Sequence, residues 1–360
     1  MAQIDAFFKL MNEQGASDLH LVTGQQPVIR ISGELTRIKY KELENDPLKE
    51  MLYEIAPEDK VKLFEETGDV DFAYEIPGLA RYRANFFEQK YGIAGIFREI
   101  PSDILTCDQL GLPPVVKRLA SLPRGLVLVT GPTGSGKSTT LAAIVDEANR
   151  TRKDHILTVE DPIEFVHKSQ EAVVNHREVG LHTRSFSAAL KGALREDPDI
   201  ILVGEMRDLE TISLAIEAAA TGHLVFGTLH TSSAAKTVDR VIEVFPANQQ
   251  EQIRNTLSDG LRAVIAQNLF KRIDKKGRVA ALEIMIAIPA IRNLIREAKT
   301  FQIPSAMQTG KKYGMQTLDD SIMEHLNAKR ISPDDAYAKC NNKEAFRPFL
   351  KNPPVDFTDA

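Results

Sequence analysis

Residues 131–138, Gly-Pro-Thr-Gly-Ser-Gly-Lys-Ser, have the spacing G-x-x-x-x-G-K-[ST] of a loop that encloses phosphate groups. Its glycines let backbone N–H groups face a polyphosphate, and the N-terminus of a following helix adds partial positive charge. The Lys137 ammonium can reach the β- and γ-phosphates, and the Ser138 hydroxyl can bind Mg²⁺. The candidate nucleotide-binding residues are Gly131, Pro132, Thr133, Gly134, Ser135, Gly136, Lys137, Ser138 and Thr139.

The flanks of this loop favour phosphate binding over the alternative, a glycine-rich turn that matches the motif by chance. Residues 126–129 are an apolar run, as expected of a buried parallel strand. From Thr139 onward the chain has a helical pattern with few breakers. Strand, glycine loop and helix, in this order, are the arrangement that the chemistry requires.

Three carboxylates follow the predicted strand 155–159, namely Glu160, Asp161 and Glu164. In open parallel sheets, ligands bind beyond the carboxyl ends of the strands. One of these acids can orient a water molecule for attack on the γ-phosphate. The alternative is a polar loop whose acids cap a helix.

Glu205 follows Gly204 at the end of the very apolar predicted strand 200–203. A carboxylate at this point can hold Mg²⁺ directly or through water, as the second half of a nucleotide-hydrolysis site. The acid is a Glu after a Gly rather than an Asp at the strand tip, so its role stays open from the pattern alone. The alternative is a generic turn after a core strand.

His230 lies near the end of a further predicted strand, 223–231, beside Thr228, Thr231 and Ser232. Its place at a strand end predicts a sensor of the γ-phosphate that couples hydrolysis to movement. The spacing does not suit zinc, because no third ligand lies nearby in the sequence. The alternative is a structural or surface histidine.

The predicted strand 80–87 alternates between a polar and an apolar face. Arg81 and Arg83 lie on the polar face, and Arg98 ends the next predicted strand. These arginines either form a solvated basic face or act as arginine fingers on a nucleotide held elsewhere. The pattern alone does not choose between the two interpretations.

The composition predicts a globular, multidomain protein of the cytoplasm. With 360 residues, of which 43% are hydrophobic, the chain can form two or three domains with real cores. Its apolar runs are far shorter than a membrane span, and its start lacks the pattern of a signal peptide. The two cysteines fit a reducing compartment, and a net charge of −5 disfavours a dedicated nucleic-acid binder.

The pattern of elements divides the chain into an α+β domain at 1–100, a proline-stiffened linker at 101–117, a nucleotide-binding core at 118–285 and a helical region at 286–360. We expect a hinge in the linker, near Pro113. In the first domain we predict a helix at 4–14, strands at 18–22 and 27–31, one helix at 49–67 that Gly68 ends, and strands at 70–74, 80–87 and 93–98.

Beyond residue 249 the sequence predicts mostly helices. We expect one helix at 256–269, a strand at 278–286, a capping box at 317–320 and a loose tail from Pro348. A helix at 290–297 has an apolar stripe of Ile291, Leu294, Ile295 and Ala298. Arg292 and Arg296 lie on another stripe of this helix, and the pattern by itself indicates core packing with a solvated basic edge.

These motifs together resemble the type II/type IV secretion ATPase superfamily, and within it the type IV pilus retraction ATPases, over nearly the whole chain. Residues 131–138 look like the family's Walker A loop, 155–165 like its Asp box, 199–208 like its Walker B region, 222–231 like its His box, and 290–297 like the C-terminal motif of retraction members. Gly-Glu is usual in that Walker B region. Because residues 290–297 look like this C-terminal motif, the resemblance implies a role in retraction for that helix instead of core packing alone.

The resemblance implies an α/β fold, with a PAS-like α+β N-terminal domain followed by a RecA-like P-loop ATPase domain that has a helical C-terminal part. It also implies an ATP site between the two domains, with Mg²⁺, and a P-loop motor that hydrolyses ATP. Glu164 is the favoured catalytic base, and Glu160 and Glu205 are assigned less firmly. The other implied catalytic residues are Arg81, Arg83, Arg98 and His230, and the implied metal ligands are Ser138, Glu205 and Glu164.

The resemblance further implies a homohexamer that powers pilus retraction and twitching motility at the cytoplasmic face of the inner membrane. Its implied partners are an inner-membrane pilus platform protein of the PilC type and a paralogue of the same family, without nucleic acid. Four alternatives stay open: a DNA-translocating motor, a nucleotide-binding regulator without hydrolysis, a pilus extension or secretion ATPase, and an auxiliary retraction paralogue. Extension ATPases typically carry a larger N-terminal region and a tetracysteine metal site, which this sequence does not contain.

Overall fold

The protein divides into two compact units, Met1–Asp103 and Ile104–Ala360. The structure is a computed structural model that describes residues 2–31, 33–100 and 103–352. Within these residues no helix is long and apolar enough to cross a membrane. The fold is α/β, with one mainly parallel mixed sheet in the second unit and an antiparallel sheet in the first.

The first unit is built on a six-stranded antiparallel sheet in the order β3-β2-β1-β6-β5-β4. Its elements are α1 Asp5–Glu13, β1 Asp18–Val22, β2 Val28–Ile31, β3 Glu34–Arg37, α2 Asn45–Tyr53, α3 Glu58–Thr67, β4 Asp69–Ile76, β5 Ala80–Gln89 and β6 Gly92–Ile100. Three aromatic side chains at its centre, Phe8, Tyr82 and Phe97, are fully buried and contact one another through Phe8. The predicted alternation of β5 is confirmed, because Tyr82, Ala84 and Phe86 are buried.

Two predictions for the first unit were wrong in detail. The single helix at 49–67 is two helices, α2 and α3, because Pro57 caps α3 and disfavours helical geometry in the residue before it. Gly68 does end α3, with φ 74°. Strand β3 was not predicted, since all four of its residues are exposed and give no apolar alternation.

The second unit contains a seven-stranded sheet in the order β13-β12-β7-β11-β10-β8-β9. Its elements are α4 Pro114–Arg118, β7 Gly125–Thr130, α5 Lys137–Thr151, β8 His155–Glu160, β9 Val173–Glu178, α6 Phe186–Ala193, β10 Ile200–Val203, α7 Leu209–Thr221, β11 Leu224–Leu229, α8 Ala234–Glu243, α9 Gln250–Gly260, β12 Leu261–Lys271, β13 Arg278–Ile286, α10 Pro289–Arg296, α11 Ile303–Thr309, α12 Leu318–Asn327, α13 Pro333–Lys339 and α14 Lys343–Phe346. Only β13 pairs antiparallel, so the strands from β12 to β9 end at one edge of the sheet.

The central strands of the sheet are buried on both faces, which explains their near-continuous apolar sequences. All six residues of β7 are buried, as are all six of β11 and all four of β10. This double burial also explains a wrong prediction. The helix expected at 256–269 ends at Gly260, and the chain continues as strand β12. The prediction failed because a continuous apolar run has the same pattern in a buried helix and in a buried strand.

Most of the predicted linker belongs to the second unit. From residue 104 the chain is part of that unit, and Cys107, Val115 and Val116 are buried in its core. Pro113 caps the short helix α4 on this core, and the boundary between the two units falls at Asp103 and Ile104 rather than near Pro113. Apolar side chains bury wherever the chain can reach a core, whatever its proline content. Pro101 lies outside the described residues.

The C-terminal helices belong to the second unit. Ile291 and Ile295 of α10 are fully buried, whereas Ala298 is exposed beyond the helix end with φ 57° and is not part of the stripe. The capping box is confirmed at Thr317 and Asp320, where α12 begins. The predicted loose tail begins inside a short 3₁₀ turn, Arg347–Phe349, and residues 353–360 lie outside the described part.

Candidate functional site

The loop between β7 and α5 has glycines where a side chain is strongly disfavoured. Gly131, Gly134 and Gly136 have φ angles of 142°, 77° and 87°, which residues with a Cβ rarely adopt. A Cβ at Gly131 would lie 2.3 Å from the backbone oxygen of Gln267 and 2.7 Å from Ser135 Oγ. The loop therefore follows the tight, glycine-dependent path that enclosing a phosphate requires.

Lys137 opens α5 as a buried cation. Its side-chain Nζ donates hydrogen bonds to the backbone oxygens of Gly131 (3.0 Å) and Pro132 (3.2 Å). Burial lowers the pKa of Lys137, while the charges of Glu205 and Glu164 oppose that shift. A buried ammonium is stabilised by an anionic partner, so this residue fits a bound phosphate.

The remaining loop residues complete a polar cradle. Ser135 Oγ is buried without a hydrogen-bond partner among the described residues, and a phosphate oxygen would serve as its acceptor. Pro132 and Thr133 are exposed at the tip of the loop, whereas Ser138 and Thr139 are half-buried in the first turn of α5.

Gln267 on β12 holds this loop by hydrogen bonds, a role that the sequence patterns did not predict. Its side-chain Nε2 donates to the Ser135 backbone oxygen (2.7 Å), and its Oε1 accepts from Thr140 Oγ1 (2.8 Å). The side chain is 3% exposed, so both bonds lie away from water. One buried amide thus ties the loop to the first turn of the helix that follows it.

Replacing Gln267 with Ala is expected to weaken nucleotide binding. The change removes two buried hydrogen bonds, each worth about 0.5–1.5 kcal/mol, and leaves the Ser135 carbonyl without this donor. We expect the Kd for ATP to rise by about 5- to 100-fold, measured with a fluorescent nucleotide. Asn268→Ala, at the next position of the same strand, is the matched control. An unchanged Kd in Gln267→Ala would contradict the bracing role.

Four predicted acidic residues and two hydroxyls meet in one pocket at the strand ends. The pocket is lined by Glu160, Asp161, Glu164 and Glu205, together with Ser138 and Thr228. All six belong to the edge where β8, β10 and β11 end and α5 begins. The sequence motifs, far apart along the chain, are therefore brought together in space.

The two Asp-box glutamates differ in exposure. Glu164 is exposed at the pocket, whereas Glu160 is 8% exposed and accepts a hydrogen bond at Oε2 from the Glu164 backbone N–H (3.1 Å). Burial raises the pKa of Glu160 to about 7, although hydrogen bonds from Glu164 N–H and Thr158 oppose the shift. Glu164 is the residue of the two that can reach solvent and a bound water.

The raised pKa of Glu160 predicts a pH-dependent stability. An acid whose pKa is higher in the folded state stabilises the fold below its unfolded pKa of 4.5 and loses this contribution as pH rises to about 7. We expect the unfolding free energy to fall across pH 4.5–7 by up to about 1.4 kcal/mol per pH unit, relative to Glu160→Gln. Denaturant titrations of both proteins measure this difference. Parallel pH profiles would contradict it.

Glu205 is held as a carboxylate by hydrogen bonds from Arg207 and His230. Its Oε1 accepts from His230 Nε2 (2.9 Å), and its Oε2 accepts from Arg207 Nη2 (2.6 Å). Although burial acts against the shift, the hydrogen bonds from Arg207 and His230 hold the pKa of Glu205 below its usual value. The predicted Walker B acid and the predicted His-box histidine are thus in direct contact.

The backbone around Glu205 is fixed by its neighbours. Thr228 on β11 donates from Oγ1 to the Gly204 backbone oxygen (2.5 Å), and a Cβ at Gly204 would approach the Glu160 Cα at 3.2 Å. Asp208 caps α7 by accepting from Thr211 N (2.9 Å). A side chain at 204 would therefore require the backbone or side chain of Glu160 to shift by a few tenths of an ångström.

The candidate arginines lie in the first unit. Arg83 on β5 is directly opposite Arg98 on β6 in the sheet register, and Arg81 pairs with Ile100. Arg83 Nε lies 3.5 Å from Asp71 Oδ1, and Arg98 Nε lies 2.8 Å from Oδ1 of the buried Asp18. Two exposed guanidinium groups therefore lie side by side on one face, each with an acidic partner.

The candidate metal ligands fit Mg²⁺ bound together with a nucleotide better than a metal ion bound by protein side chains alone. Ser138, Glu164 and Glu205 line the same pocket, and within the described residues no group of three His, Cys, Asp or Glu side chains is arranged to hold a metal. Mg²⁺ usually binds through one or two carboxylates, waters and substrate phosphates. The donors present therefore fit Mg²⁺ that arrives with a nucleotide.

Comparison with known proteins gives consistent matches. Residues 105–300 match the family model described as type II/IV secretion system protein. The chain is 56% identical to the type IV pilus retraction ATPase PilT of Pseudomonas aeruginosa, over 93% of this chain and 97% of that protein. It is 52% identical to a twitching motility protein of Neisseria gonorrhoeae, over 89% and 85% of the two chains. A crystal structure of the pilus retraction motor PilT with bound ADP superposes with a TM-score of 0.88 at 44% identity, over 96% and 98%.

Proposed function

Because the chain belongs to the type II/IV secretion system protein family, we propose that it is an ATPase motor that powers the retraction of type IV pili. The observation that carries this proposal is 56% identity over 93% of the chain to a pilus retraction ATPase. The pocket at the strand ends, with its phosphate loop and acids, supports the ATPase part independently.

In the proposed reaction the chain holds the triphosphate of ATP and activates a water. Lys137 neutralises phosphate charge, and Ser138 and Glu205 are the ligands offered to Mg²⁺, which would neutralise charge on the β- and γ-phosphate oxygens. Glu164 orients a water and accepts its proton as the water attacks the γ-phosphorus. The bond from the γ-phosphorus to the bridging oxygen breaks, giving ADP and phosphate.

His230 is proposed to report the state of the γ-phosphate. Its hydrogen bond to Glu205 Oε1 joins the end of β11 to the end of β10. A change of charge at the phosphate would act on Glu205 and, through it, on His230 and the chain that leads into α8. This role supports the proposal of a motor, since hydrolysis then changes a contact between two elements.

The three arginines are proposed to stabilise the charge that develops on the transferred phosphoryl group. Arg83 and Arg98 lie directly opposite each other in the sheet and both guanidinium groups are exposed, so one phosphate group can accept hydrogen bonds from both. This pairing supports the arginine-finger interpretation over a solvated face. Arg81 belongs to the same strand and the same face.

The folds of the two units, the ring and its partners are inferred from the family. We propose a PAS-like first unit, a RecA-like second unit and a homohexameric ring at the cytoplasmic face of the inner membrane. The ring would act on a pilus platform protein of the PilC type, with a paralogue of the same family as a second partner. The segment 290–297 is proposed as the retraction motif, with Arg292 and Arg296 at a contact surface.

Phosphate release by the purified full-length chain with Mg²⁺ and ATP tests the enzymatic part. We expect steady hydrolysis that Lys137→Ala removes and that double-stranded DNA leaves unchanged. Stimulation by DNA with a steep salt dependence would support a DNA-translocating motor instead. No hydrolysis by the assembled protein would support a nucleotide-binding regulator.

A further inference from the structure

The loop that carries Glu164 is held by side chains of the edge strand β9. This Asp-box loop, residues 161–167, connects β8 towards β9. The Ile163 backbone N–H donates to Glu178 Oε2 (3.1 Å), and the His167 backbone N–H donates to His176 Nε2 (3.0 Å). The loop is therefore attached at two points to a strand that none of the nucleotide motifs includes.

The His176 ring continues this attachment towards the catalytic pocket. Because Nε2 accepts from an amide, the ring proton lies on Nδ1, which donates to Thr158 Oγ1 (2.8 Å). The other tautomer would donate to the His167 backbone oxygen (3.2 Å) but would leave the His167 amide without this acceptor. Only the first tautomer satisfies both the amide and the hydroxyl.

The hydrogen bonds return to the loop through Glu160. Glu160 lies on the same face of β8 as Thr158, its Oε1 is 4.0 Å from His176 Nδ1, and its Oε2 accepts from the Glu164 backbone N–H (3.1 Å). The chain of bonds thus begins at His167 and ends at Glu164, on either side of the same loop. The His176 side chain is 14% exposed and the Thr158 side chain is fully buried, so water competes little with these bonds.

We propose that His176 is a positioning residue for ATP hydrolysis: through Thr158 and Glu160 it holds the Asp-box loop so that Glu164 faces the reacting phosphate. This inference rests on the proposed role of Glu164 as the base. A leucine at 176 would fill the space but leave the His167 amide and the Thr158 hydroxyl without their partner. The loop would then lose the constraint on its backbone, and a base displaced by about 1 Å loses much of its effect.

The experiment compares two variants that break the chain of hydrogen bonds from His167 to Glu164 with one variant that keeps it. In the full-length protein, His176→Leu and Thr158→Val each remove a link, whereas His176→Gln keeps an acceptor for the amide and a donor for the hydroxyl. We expect kcat to fall about 10- to 100-fold in the first two variants and to stay within about threefold in His176→Gln. The KM for ATP stays within about twofold in all three, because the phosphate loop is untouched.

His155→Leu is the matched control, since that ring contacts the Asp197 backbone oxygen and Asn175 outside the Asp-box loop. A kcat at the parental value in both His176→Leu and Thr158→Val overturns the inference. A loss in His176→Gln equal to that in His176→Leu also overturns it, as does a KM that rises in proportion to the fall in kcat. If His176→Leu does not fold, Thr158→Val alone decides.

The Glu164→Gln background separates this inference from the proposed function. If Glu164→Gln keeps only a small residual rate, and His176→Leu lowers the parental kcat but not that residual rate, the chain of hydrogen bonds acts through Glu164 as proposed. If Glu164→Gln is inactive while His176→Leu keeps the parental kcat, only the positioning role fails. An active Glu164→Gln overturns the base role and the inference that rests on it.

Discussion

Glu164→Gln is expected to lower ATP turnover by about 10²–10⁴-fold while ATP binding stays intact. Glu164 is an exposed carboxylate on the catalytic pocket, and the amide that replaces it has nearly the same shape but cannot accept a proton. Its backbone bond to Glu160 is kept, because the amide N–H belongs to the main chain. Single-turnover phosphate release measures the rate, and a fluorescent nucleotide measures the Kd.

Two comparison variants make this result specific to the base. Glu171→Gln neutralises an exposed glutamate just before β9 that does not line the pocket, and it should keep the parental rate. Glu205→Gln tests the rival carboxylate, which Arg207 and His230 hold by hydrogen bonds. Full turnover in Glu164→Gln together with its loss in Glu205→Gln would move the base role to Glu205.

Arg83→Ala is expected to lower turnover by about 10³–10⁵-fold, the effect of removing an arginine finger. The fold should not suffer, because the ion pair with Asp71 is half-exposed at both ends and such pairs contribute at most about 1 kcal/mol. Nucleotide binding through Lys137 should persist. The rate constant and the melting temperature of the variant, measured side by side, separate a loss of chemistry from a loss of structure.

Arg37→Ala is the matched control, since Arg37 is an exposed arginine on β3 of the same unit. Arg83→Lys keeps the charge but not the planar donor pair, so we expect it to recover only part of the rate. Turnover equal to the parent in Arg83→Ala would return Arg83 to the interpretation of a solvated basic face.

The parts of the site that the sequence could predict are those encoded in short contiguous motifs. Lys137 and Ser138 are placed by the loop spacing itself, and Glu205 and His230 follow strands whose apolar runs are unmistakable. Because parallel strands end at one edge of the sheet, these motifs had to converge. The contact between Glu205 and His230, by contrast, depends on which strands are neighbours and on side-chain direction.

The residues that sequence reasoning missed act across the sheet. Gln267 was placed on a helix because β12 is buried on both faces and shows no strand alternation, although the pair of amides Gln267 and Asn268 in an apolar run could have signalled a buried polar role. His176 lies on β9, whose mixed sequence gave no strand pattern. The alternation of β5 was predictable, but the placement of Arg83 opposite Arg98 needed the strand register.

Imaging of labelled pili on living cells of the native host, after deletion of the gene, tests directly whether this motor retracts pili. Three strains are compared: the deletion strain alone, the deletion strain with the parental gene on a plasmid, and the deletion strain with the Glu164→Gln allele on a plasmid. We expect excess surface pili and lost twitching in the deletion strain, with rescue by the parental gene and none by Glu164→Gln. Cells without pili would contradict it, because the motor would then extend pili rather than retract them.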